Sequence, residues 1–162
     1  MLDLLASPAP SPPTPATLWR IATVLPIMQK YELDQLILSL KSTLRKAAGD
    51  TTSPKIFVFL AAARLSSIDI CATCIRYGGA QTWREVLQGL DDEVEEEIAI
   101  ERDMRELSSF DVKGWSESVS VKVPADVMSR LWTAQMGLDL DGDGPERAKE
   151  VWVEVAGSFK GA

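Results

Sequence analysis

The sequence predicts an all-α domain of stacked helix pairs with at most one short strand. Three observations carry this expectation. Apolar residues recur at helical spacing along most of the 162 residues. Gly, Pro and Ser punctuate about seven or eight such stretches, each roughly ten to sixteen residues long. Only Val119, Val121 and Val123 alternate with polar residues as a strand would, and one strand cannot make a sheet.

The elements follow in order. Residues 1–17 form a leucine-rich start, Met1-Leu2-Asp3-Leu4-Leu5, and a connector from Ser7 to Thr17 that holds five of the nine prolines and excludes regular helix. From Thr17 a helix places Leu18, Ile21, Ala22, Leu25 and Met28 on one face, with Pro26 expected to kink or split it. Leu33, Leu36, Ile37, Leu40 and Leu44 stripe a second helix to Ala48, with Lys41, Arg45 and Lys46 suited to its C-terminal end and Gly49 at the place of a left-handed cap. Ser53-Pro54 opens the apolar helix Lys55 to Arg64, and Ser67 opens another that Gly78-Gly79 ends. Thr82-Trp83-Arg84-Glu85 is a capping box. Asp91 to Leu107 reads as an acidic surface helix on the thin stripe Val94, Ile98, Met104 and Leu107. Helices resume from Ala125 to Gln135 and from Pro145 to Phe159. The expected division is a start and connector over 1–17, a helical domain over 18–135, and an acidic turn with a terminal helix over 136–162.

Composition narrows the function. A chain that is 46% apolar with no histidine excludes Ser-His-Asp and Cys-His nucleophilic sites and His-ligated zinc. The net charge of −7 argues against a nucleic-acid binder. It is unevenly spread: residues 1–90 carry 9 basic and 6 acidic groups, and residues 91–162 carry 8 and 18. Cys71 and Cys74 form a lone C-x-x-C inside an apolar helical stretch, which reads as buried, reduced thiols in an intracellular protein. No secretory signal and no membrane span is expected.

Val24-Leu25, then Lys30-Tyr31-Glu32-Leu33 and Leu36, Leu40 and Leu44, resemble the late helices of the BTB/POZ fold, most closely the version in fungal BTB-domain proteins. Ser53-Pro54-Lys55-Ile56-Phe57-Val58-Phe59-Leu60-Ala61 and the helix Ser67 to Tyr77 are similar to the helical extension that follows those domains. Phe110 to Trp132, with Trp115, Pro124 and Leu131-Trp132, resembles their aromatic C-terminal region. The resemblance spans roughly residues 1–135. It implies the C-terminal helical part of such a domain, without the strand-rich half that precedes it in the family. The family's roles are homodimerisation and adaptor binding.

One segment has the spacing of a metal loop. Asp139-Leu140-Asp141-Gly142-Asp143-Gly144, with Glu150 at the twelfth position, fits an EF-hand calcium loop, in which Asp139, Asp141, Asp143 and Glu150 would supply oxygens. Pro145 and Glu146 at the seventh and eighth positions depart from it, and an acidic turn at a helix N-terminus is the competing reading.

The sequence therefore points to a non-enzymatic protein–protein interaction module without a required cofactor. Its partner is another protein or a second copy, and its expected contact face is Leu18, Ile21, Leu25 and Met28 together with Leu2, Leu4 and Leu5. A calcium-responsive helical protein is the alternative.

Overall fold

The structure, a computed structural model, describes residues 12–51, 53–140 and 144–162. Among them are nine α-helices and no strand; the nearest approach to a sheet is one antiparallel bridge between Thr82 and Ser108. The all-α expectation holds. The leucine-rich start lies outside the described residues.

Helix α1 spans Pro15–Lys30 and continues unbroken through Pro26. Pro15 follows the Thr14 cap, whose hydroxyl accepts from Thr17 N at 3.2 Å, so the helix begins where a missing N–H costs nothing. Helix α2 spans Asp34–Gly49. It does not end on a left-handed glycine. Asp50 leaves it in an extended conformation, and the Lys55 ammonium donates to the carbonyls of Ala47, at 2.9 Å, and Asp50. A buried cation thus satisfies the helix end that glycine capping was expected to close.

Helix α3, Lys55–Arg64, is the centre of the molecule. Nine of its ten residues are buried, as befits a helix apolar on every side, and α1, α2 and α4 all pack on it. Trp19 meets Phe57 edge to face at 6.3 Å between α1 and α3. Helix α4, Ile68–Gly78, carries the two cysteines inward and packs along α9, Pro145–Gly161. Phe59 at the core's middle touches the rings of Phe110, Trp115 and Phe159 at 5.3, 6.3 and 6.3 Å.

The remaining helices are short. The expected capping box opens α5, Trp83–Leu87, with Thr82 and Glu85 bonded reciprocally. The acidic helix is shorter than expected: α6 covers only Asp92–Ile98, because Ala99 turns left-handed at φ 54° and ends it. The valines expected as a strand instead lie within α7, Glu117–Ser120, at Val119 and in the turn after it at Val121 and Val123, and Ser116 caps Val119 N. Helix α8 spans Ala125–Gln135. One hydrophobic core joins residues of α1 through α9, including Trp152, Val155 and Phe159, so 136–162 does not stand apart from 18–135.

Candidate functional site

The expected contact strip of α1 faces inward. Leu18 and Leu25 are fully buried, and Ile21 and Met28 are half-buried against the core. This corrects the expectation of an open face there. The strip is apolar because α1 must cover α3, and α3 supplies its partner within the chain.

The uncovered apolar surface lies on the other sides of α1 and on α2, the two helices that the turn at 31–33 joins as the α1–α2 hairpin. Among the described residues, six of the eleven exposed large hydrophobics fall between positions 24 and 38: Val24, Ile27, Tyr31, Leu33, Leu36 and Leu38. Tyr31 is 67% exposed, Leu36 54% and Leu38 60%. No residue from 33 to 43 is fully buried: Ile37 and Leu40 are half-buried against the core, and α2 enters it completely only at Leu44, Ala47 and Ala48. The turn between the helices is nevertheless well defined. Tyr31 N donates to Ile27 O at 3.1 Å and Leu33 N to Met28 O at 3.2 Å, and Gln29 Nε2 reaches Arg64 O at 3.2 Å, tying the hairpin's tip to the end of α3. Sequence reasoning missed this face, although Val24, Ile27 and Tyr31 at i, i+3 and i+7 are themselves a second helical stripe on α1.

The acidic loop offers less. Asp141 and Asp143 lie outside the described residues. Asp139 and Glu150 are exposed, and no group of three His, Cys, Asp or Glu side chains among the described residues could hold a metal. Gly144 takes φ 104° and precedes Pro145, the first residue of α9. Loop position seven is thereby drawn into helix, where its carbonyl accepts a main-chain bond.

The buried ionisable groups are structural in placement. Burial pushes the thiols of Cys71 and Cys74 up, holding them protonated and unreactive. Burial lowers Lys55, against the opposing pull of Asp50. Burial likewise lowers Lys122, whose ammonium sits 4.2 Å from the Trp19 ring centre and donates to Thr23 Oγ1. Glu97, one of the acids on α6, accepts from Trp19 Nε1 at 2.8 Å, and Glu95 pairs with Arg105 at 2.9 Å. A cavity of about 180 Å³ lies beside Trp132, Met136 and Lys113, and larger open clefts of about 580 and 640 Å³ flank Arg76 and Val153 between α4 and α9. No helix of the described residues is long and apolar enough to cross a membrane.

Comparison with protein-family models, with curated proteins and with solved structures finds no match for the chain.

Proposed function

We propose that the chain is a non-enzymatic protein–protein interaction module that works through the outer surface of the α1–α2 hairpin. One observation carries this reading: the exposed large apolar side chains concentrate in residues 24–38 instead of scattering singly as they do on ordinary surfaces. The residues that resemble the late BTB/POZ helices support it. Tyr31, Leu33 and Leu36 are core-type residues by spacing, yet they are exposed, as helices would be when the element that covers them is another chain. An intracellular setting belongs to the same proposal and is supported by the two free, buried thiols.

A photoactivatable side chain placed at position 27 or 31, with position 93 on the acidic face as control, tests the reading in the cells that make the protein. Discrete adducts are expected from 27 and 31 and not from 93. Equal labelling at all three positions removes the proposal.

A further inference from the structure

The exposed side of α2 is ordered by charge. Asp34 stands in its first turn, Leu38 follows, and Lys41 and Arg45 occupy its second half. These positions are i, i+4, i+7 and i+11, which keeps all four on one face of the helix. Asp34, Leu38 and Arg45 are exposed and Lys41 is half-buried. None of the ion pairs among the described residues uses Asp34, Lys41 or Arg45. The face is therefore acidic at one end, apolar in the middle and basic at the other, with its charges in no ion pair among the described residues.

A surface with that order is complementary to its own copy turned end for end. About a two-fold axis near Leu38, Leu38 meets Leu38 of the second copy, and Asp34 comes opposite Lys41 twice, once on each side of the axis. Such a contact satisfies the self-complementarity that an isologous dimer requires. A parallel arrangement would set Asp34 against Asp34. The antiparallel one also opposes the two helix dipoles.

We infer that the partner of this face is a second copy of the chain, paired through α2 in antiparallel fashion. The inference rests on the reading of the hairpin as an interaction surface and names the occupant. A single pair of sixteen-residue helices falls at the small end of specific interfaces, so the dimer is weak and its dissociation constant is on the order of micromolar.

Sedimentation velocity of the full chain, from about 1 to about 200 μM, reads the dissociation constant directly. Concentration-dependent dimer is expected. Leu38→Glu abolishes it, and Asp34→Lys or Lys41→Glu alone each weaken it about tenfold or more, because each swap creates two like-charge contacts. Asp34→Lys combined with Lys41→Glu returns the constant to within about threefold of the original, since both contacts are restored with signs reversed. Thermal melts confirm that each variant is folded. A chain that stays monomeric throughout, a dimer indifferent to the single swaps, or a double swap that fails to recover overturns the inference. If the chain is monomeric but crosslinks from positions 27 and 31 to a different protein, the second copy is excluded and the interaction reading stands. Absence of those adducts removes the reading itself.

Discussion

Gly79 lies against the indole of Trp152 so closely that a Cβ there would stand 2.4 Å from Trp152 Cγ. The contact closes the end of α4 onto α9. Gly79 has φ −60°, an ordinary helical value, so the requirement at this position is purely one of space. Gly79→Ala is expected to lower the free energy of unfolding by about 1–3 kcal/mol through overpacking. Gly157, inside α9 with open space around it, provides the contrast: Gly157→Ala should raise stability by up to about 1 kcal/mol. Urea unfolding of the two variants distinguishes a steric glycine from a merely flexible one.

Trp19 is held from two directions, by the Glu97 carboxylate at its indole nitrogen and by the Lys122 ammonium over its ring. Because the site is only partly buried, its hydrogen bond should be worth about 0.5–1.5 kcal/mol. A double-mutant cycle of Trp19→Phe and Glu97→Ala, read by chemical denaturation, measures it. A coupling indistinguishable from zero would mean that Glu97 is simply a solvated acid.

The two thiols impose a limit at alkaline pH. Each has its folded pKa raised above the ordinary 9.0, so above pH 9 the unfolded chain sheds protons that the folded chain keeps. Their contribution to stability is complete below 9.0 and declines as pH rises beyond it. The lowered Lys55 and Lys122 act in the opposite sense as pH approaches 10.5. The test is therefore the difference in slope between the parent and Cys71→Ala/Cys74→Ala over that range. Parallel slopes would refute it.

Gln135 ties α8 to the loop that carries Phe110. Its amide nitrogen donates to Phe110 O at 2.6 Å, and its oxygen accepts from Val112 N at 3.3 Å. Gln135→Leu keeps the volume and strands both groups, so a loss of about 1–3 kcal/mol is expected by thermal or chemical unfolding. A neutral result would mean that water takes over both bonds.

Helix ends were legible in the sequence wherever their chemistry is local. Thr82 and Glu85, Ser67, and Pro145 each mark a start that lies within a residue or two of the observed one. Distinctions that depend on distant groups were not legible. Val119 and Val123 fit a strand by alternation and a helical turn by their i, i+4 spacing, and Ser116, which caps the turn, is itself held by donating its hydroxyl to Ile98 O eighteen residues back. The segment after Ile98 looked helical until Ala99 reversed the chain, and Arg105 then returns to pair with Glu95. The contact surface failed for the same reason. Two apolar stripes on α1 look alike in sequence, and the burial of one is decided by α3, some thirty residues further on.

The contacts that secure Trp19 also place a constraint on synthesis. Its nitrogen waits for Glu97, 78 residues later, and Lys122 closes on Thr23 across 99 residues. At a ribosomal pace of roughly 5–20 residues per second, α1 spends on the order of 5–20 s outside the exit tunnel before its last fastening is made. During that interval the leucine-bearing hairpin emerges ahead of the acidic half, and neighbouring nascent chains on one messenger could meet through α2 before either is complete.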